Sequence, residues 1–151
     1  MADVHTPEVR SFNMSAIKGT NTKPEIKVRK ILHNKGFRFR INNRKLPGKP
    51  DLVFKKYKAV IFVNGCFWHK HNCHFFKLPA TRTEFWNQKI NGNVKKDSEN
   101  LKNLAELGYR IMIIWECSLK GKTRLDDQIL GETISTWLRS QNKFCEITGL
   151  V

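Results

Sequence analysis

The sequence predicts a small α/β domain, a short mixed β-sheet with helices packed on it, and three observations carry that expectation. Two apolar, β-rich runs, Ala59–Val63 and Ile111–Trp115, each read as a buried strand. Between them a long polar stretch, from about Thr83 to Leu107 with Gly108 as its stop, reads as a helix. The 151 residues are most simply one domain, long enough to bury a real core.

In chain order, residues 1–21 read as an arm with one short helix. Thr6-Pro7-Glu8 opens it with a capping side chain, a proline in the first turn and an acid near the positive dipole end. Phe12, Met14 and Ile17 give this helix some apolar character. Residues 22–151 then form the main domain. Thr22-Lys23-Pro24-Glu25 is a capping box, because Glu25 stands three residues after the cap. Ile26, Val28, Ile31 and Leu32 mark one face of the helix that follows, and Gly36 closes it. Phe37 to Ile41 alternates apolar and basic residues as an exposed strand would, and Asn42 to Lys49 is a basic loop. Asp51 opens the next β-rich run, so its carboxylate stands at a strand end, and Tyr57-Lys58 turns the chain into the central strand. In the long helix Phe85, Ile90, Val94, Leu101 and Leu104 form a broken apolar stripe. A last helix spans about Leu125 to Leu138, with Ile129, Leu130, Ile134, Trp137 and Leu138 inward.

The formal charge of +15 suits a polyanionic partner, and nucleic acid is the commonest one in a cell. The first sixty residues carry fifteen Lys or Arg against four acids, so much of the bias lies there. No apolar stretch approaches the roughly 18 residues of a membrane span, and no charged-then-apolar leader opens the chain. A soluble, cytoplasmic protein is expected, nucleoid-associated when bound to DNA.

The densest chemistry lies in Cys66-Phe67-Trp68-His69-Lys70-His71-Asn72-Cys73, which follows the Asn64-Gly65 turn at the end of the central strand. Soft ligands in so short a loop point to a metal clasp that fixes the loop's shape. Cys117, just after the second buried run, completes it, since neighbouring strands bring Cys66, Cys73 and Cys117 together with one histidine. Cysteines of this kind fit a reducing compartment better than a disulfide framework, and Cys145 is left over as an ordinary thiol. The hairpin formed by the Asp51 strand and the central strand brings Asp51 toward His69. By themselves these residues also fit a zinc-stabilised nucleic-acid-binding module without catalysis, or a nuclease acting on another DNA target.

Long, ordered stretches go further. Leu46-Pro47-Gly48-Lys49-Pro50-Asp51, Gly65-Cys66-Phe67-Trp68-His69, Pro79-Ala80-Thr81-Arg82-Thr83-Glu84-Phe85-Trp86, Glu106-Leu107-Gly108 and Trp115-Glu116-Cys117 resemble the very short patch repair (Vsr) mismatch endonucleases over nearly the whole chain. That resemblance implies a monomeric, Mg²⁺-dependent nickase with a restriction-endonuclease-like core. Its substrate would be double-stranded DNA, cut 5′ to the thymine of a T·G mismatch left by deamination of 5-methylcytosine. Mismatch-repair proteins and a cytosine methyltransferase encoded nearby would be its partners. By position, Asp51 resembles the metal-binding carboxylate, with the Val63 carbonyl as a second Mg²⁺ ligand. Glu25 would reach the metal through water, and His69 would orient or deprotonate the attacking water. Cys66, His71, Cys73 and Cys117 match the ligands of a structural Zn²⁺. Phe67, Trp68 and Trp86 match aromatics that wedge beside the mismatch, and Met14 would enter the stack from the arm. One departure is Asn64, one step before the glycine, where the family's pattern carries a histidine. An amide holds a water but is a poor base, so proton transfer would fall more heavily on His69.

Overall fold

The computed structural model describes residues 21–150; the N-terminal helix and Met14 expected from the sequence lie outside them. Five strands form one sheet in the order β1-β2-β3-β4-β5: β1 (Arg40–Ile41), β2 (Leu52–Phe54), β3 (Ala59–Asn64), β4 (Arg110–Trp115) and β5 (Phe144–Ile147). The first three are antiparallel neighbours, and β3, β4 and β5 run parallel. The mixed character follows from the connections. A short turn through Lys55–Tyr57 returns the chain antiparallel, whereas parallel neighbours need a crossover, supplied by helices. Helix α2 (Thr83–Glu106) links β3 to β4, and α3 (Asp127–Leu138) links β4 to β5.

Both faces of the central strands are covered, which explains their near-continuous apolar runs. On one face Ala59, Ile61, Met112 and Ile114 pack with Val28 and Leu32 of α1 (Lys23–Asn34) and with Leu130, Ile134 and Leu138 of α3. On the other, Val60, Ile111, Ile113 and Trp115 pack with Leu104 of α2, and Cys66 and Cys117 join them.

Several local expectations shift. The strand expected over 37–41 is hydrogen-bonded only at Arg40–Ile41, because Phe37 and Phe39 turn inward against Phe54. The central strand runs one residue further, to Asn64, which pairs with Trp115. Ile26, Phe85, Val94 and Ile129 are exposed rather than inward. Ile129 sits one step, about 100° of helix rotation, off the stripe formed by Leu130, Ile134, Trp137 and Leu138. Helix α3 starts at Asp127, where the Asp126 carboxylate accepts the Gln128 N–H at 2.7 Å, rather than near Leu125. The edge strand β5 has only four residues, two of them exposed and one a glutamate, and had no clear signature in the sequence. Cys145 lies half-buried on it against the core.

This arrangement gathers chemistry at one end. The C-terminal ends of β3 and β4, the N-terminal end of the antiparallel β2 and the first turn of α1 all meet there, carrying Asn64, Cys66, Cys117, Asp51 and Glu25 to one edge of the sheet.

Candidate functional site

Cys66, His71, Cys73 and Cys117 each offer a ligand atom, all within 4.8 Å of one another. The His71 Nδ1 lies 3.5 Å from Cys66 Sγ and 3.6 Å from Cys117 Sγ. A tetrahedral Zn²⁺ with Zn–S of about 2.3 Å and Zn–N of about 2.0–2.1 Å has an N···S edge of about 3.6 Å, so the cluster has the right size for that ion. The register of β3 and β4 makes this possible, because Asn64↔Trp115 places the two following cysteines side by side. The sulfurs receive backbone N–H groups, from Cys117 to Cys66 Sγ and from Gly149 to Cys117 Sγ, both at 3.3 Å. Burial pushes the Cys66 and Cys117 thiols up and lowers His71, so without a cation the thiols stay protonated and the imidazole neutral. A cation would displace the thiol protons.

Two other parts brace the clasp. Glu116 Oε1 accepts the Cys66 N–H at 3.1 Å, and the Trp115 ring stacks on His71 at 4.2 Å. Gly149 must be glycine here, since a Cβ would fall 2.5 Å from the Cys117 carbonyl oxygen. Neither Glu116 nor Gly149 was singled out as a site residue in the sequence, where neither has a motif of its own.

Beside the clasp is a cavity of about 430 Å³ whose walls include Glu25, Asp51, Val63, Asn64, His69 and Asp97. Asp51 Oδ2 accepts the Val63 N–H at 2.6 Å, a bond that fixes the carboxylate across the hairpin. Burial raises its pKa to about 7, with the Val63 N–H opposing and Glu25 reinforcing the rise. Arg29 and His69 offset the rise only in part, and the Arg29 guanidinium is shared with Glu25 Oε2 at 3.1 Å and Asn21 Oδ1 at 2.8 Å. A buried carboxylate short of positive charge suits a hard divalent cation, which needs only one or two protein oxygens and keeps the rest for water and phosphate.

Glu25 does more than cap. Its N–H meets Thr22 Oγ1, as a capping box requires, but its carboxylate accepts the N–H of Asn21 at 2.9 Å, is buried, and lines the cavity with Asp51. His69 stands apart from the cysteine cluster. Its Nδ1 bonds Asp97 Oδ2 at 2.5 Å, and its ring lies edge-on to Trp115. Sequence reasoning passed over Asp97, although a signal existed: it lies midway between the fully buried Ile90 and Leu104 on the inward face of α2.

Phe67, Trp68 and Trp86 form a triangle with ring centroids 5.2–5.8 Å apart, and Phe85 meets Trp86 edge-to-face. They are not core residues. Trp68 and Phe85 are exposed and the other two at most half-buried, so the loop and the first turn of α2 present an aromatic surface beside His69.

A mixed sheet with an acid-lined cavity at the ends of its parallel strands, in a chain of formal charge +15, fits an enzyme that acts on nucleic acid with a divalent cation. The family profile described as DNA mismatch endonuclease Vsr matches residues 2–75. The chain is 45% identical to the DNA mismatch endonuclease Vsr of Escherichia coli K12, covering 97% of this chain and 94% of that one. It is 44% identical to the type II nicking enzyme V.NmeAIP of Neisseria meningitidis, covering 81% of this chain and 87% of the relative. With the type II nicking enzyme V.XorIIP of Xanthomonas oryzae it shares 40%, covering 85% and 95%. The chain belongs to the Vsr family of DNA mismatch endonucleases.

Proposed function

We propose that the protein nicks one DNA strand 5′ to the thymine of a T·G mismatch, with Mg²⁺ in the acidic cavity and Zn²⁺ in the clasp. What carries this reading is the convergence of Asp51, Glu25 and an Asp97-anchored His69 on one cavity, flanked by unburied aromatics. Asp51 and the Val63 carbonyl hold the divalent cation, and Glu25 orders water around it. When bound, that cation supplies charge neutralisation at the nonbridging and leaving oxygens of the phosphate. His69, its Nδ1 tied to Asp97, turns Nε2 toward the attacking water and takes its proton. Asn64 holds a water without acting as base. Arg44 and Lys49, which also line the cavity, offset the charge of the scissile phosphate. The names of the nicking relatives favour single-strand cleavage.

Mismatch choice rests on the aromatic triangle, with Met14 entering from the arm. A T·G wobble pair is cheaper to open than a Watson–Crick pair. Insertion costs a few kcal/mol of unstacking, and aromatic–base stacking returns roughly 1–3 kcal/mol per base. The balance favours insertion at the mismatch and opposes it in matched duplex. Because Phe67 and Trp68 share the loop of His69, seating the wedge also sets the base against the phosphate.

The test is a Mg²⁺-dependent nicking assay on otherwise identical matched, T·G and branched duplexes with varied flanks. Preferential cleavage at T·G is expected, and Trp68→Ala should lower it far more than it lowers binding to matched DNA. Equal cleavage of all three duplexes, or an unchanged preference in Trp68→Ala, overturns the corresponding half of the reading.

A further inference from the structure

The opposite end of the sheet has its own chemistry. There the turn after β2, the start of β4 and the segment between α3 and β5 come together. Segments 55–58, 107–110 and 138–144 contain no carboxylate, and Glu106 on the last turn of α2 is the nearest acid in sequence. Lys55, Lys56, Lys58 and Lys143 are exposed. Among the described residues none of them is paired with an acid; the ion pairs of Lys27, Arg29 and Lys120 lie elsewhere on the molecule.

A structural need for these cations is already met. Helix C-termini favour positive charge, but the guanidinium of Arg110 donates to the carbonyls of Trp137 and Leu138 at the end of α3, and to those of Tyr57 and Asn142. Arg139 bonds Ser135 Oγ and stacks on Phe37. The arginines are therefore spent on the scaffold. Lys56 and Lys58 lie over the Tyr57 and Tyr109 rings, at 5.5 and 4.6 Å, and Lys56 borders a depression of about 310 Å³ with Arg110 and Arg139.

We propose that this end is a second phosphate-binding surface, which holds a second DNA segment while the first occupies the catalytic cavity. The two surfaces sit at opposite ends of the sheet: strand β4 runs from Arg110 to Trp115, about 17 Å at the usual rise, with the far lysines at its start and the aromatic triangle beyond its finish. Dispersed ammoniums without base-reading geometry suit a sequence-independent hold on phosphates. Two exposed apolar side chains at this end, Leu107 and Phe144, make a poorer anchor than four exposed lysines without acid partners do. An endonuclease that must find rare sites amid excess DNA thereby gains a way to pass from one segment to another. The inference rests on the proposed seating of a T·G duplex at the aromatic triangle, and not on the roles proposed for Asp51 or His69.

The experiment is a two-duplex capture. Protein is saturated with an immobilised short T·G duplex without Mg²⁺, then offered a labelled matched duplex. Wild type should retain the second duplex, and retention should fall about 40-fold between 50 and 200 mM salt if three lysines each neutralise one phosphate. Lys55→Glu/Lys56→Glu/Lys143→Glu should retain at least about tenfold less. It should nick the short T·G duplex in a single turnover within about twofold of wild type, as expected of a distant site. The corresponding triple Gln variant should fall between them. Failure of the wild type to capture a second duplex overturns the proposal, as does undiminished capture by both variants. An equal loss of single-turnover nicking would make the lysines part of the primary contact and also overturn it. So would capture of an acidic polypeptide in place of DNA, which would mark a protein dock.

Discussion

The cysteine clasp and the acidic cavity share one loop, with Cys66 in one and His69 in the other, yet they are built on opposite rules. The clasp closes four ligand atoms on each other, with two cysteines fully buried and backbone N–H groups aimed at sulfur. The cavity keeps its carboxylates apart around open space and leaves Asp51 short of positive charge. A closed, soft-ligand site holds shape; an open, hard-ligand site exchanges water and substrate. On the proposed function the clasp belongs to stability and the cavity to rate, and substitutions should separate the two.

The largest expected effect is on the clasp. Structural zinc contributes about 10–16 kcal/mol of apparent binding energy, comparable with the roughly 5–15 kcal/mol of a whole domain. Cys73→Ala should lose the metal and unfold or melt far below wild type, read by metal analysis and a thermal scan. Native protein purified without zinc would break the comparison at its root. Next comes Asp51→Asn, which should reduce nicking by about 10³-fold or more, the several kcal/mol a catalytic cation supplies. Its zinc content and DNA binding should stay near wild type. If zinc were lost with activity, the two sites would be one. Asp97→Asn should lower kcat about 10²–10⁴-fold through misorientation of His69, again with the metal retained; a wild-type rate would make the His69–Asp97 bond incidental.

The smallest effect is graded with pH. The Asp51 carboxyl is pushed up to about 7 from 3.8, so below about 7 it is protonated in the metal-free protein. Divalent affinity should thus fall about tenfold for each pH unit below 7 and level off above it. Stability has the opposite slope. A raised folded-state pKa gives a contribution that is complete below about 3.8 and lost as pH rises through about 7. Titration calorimetry with Mg²⁺ and melting of the metal-free protein should show both trends in wild type and neither in Asp51→Asn.

How much of this was legible in the sequence divides along the same line. The clasp announced itself, because thiols and imidazoles packed into one short loop have few other uses, and two apolar runs placed Cys117 beside it. Asp51 was readable from its position at a strand start. Asp97 was legible only through its seven-residue spacing from Ile90 and Leu104, since on a long polar helix a single acid looks like solvent-facing charge until the sheet fixes which side is inward. Glu25 was ambiguous for a related reason: a capping box accounts for it locally, and only the approach of β2 turns it into a cavity wall. The exposed Phe85 and Ile129 show the limit of periodic reasoning, because the stripe of a helix says nothing about where its covering sheet ends.

The Gly149 N–H that meets Cys117 Sγ has a consequence for the order in which the molecule is made. The residues that finish the clasp are dispersed along the chain, from Cys66 and Cys73 through Cys117 to the backbone beyond β5. At 5–20 residues per second, translation from Cys73 to Gly149 takes on the order of 4–15 s. For the first 44 of those residues the nascent chain displays two thiols and an imidazole without Cys117, and until the end it lacks the Gly149 N–H that Cys117 Sγ accepts. On the proposed function, the loop bearing His69 is therefore completed only when the far end of the chain arrives, and a chain made without the clasp metal would lose its fold along with its activity.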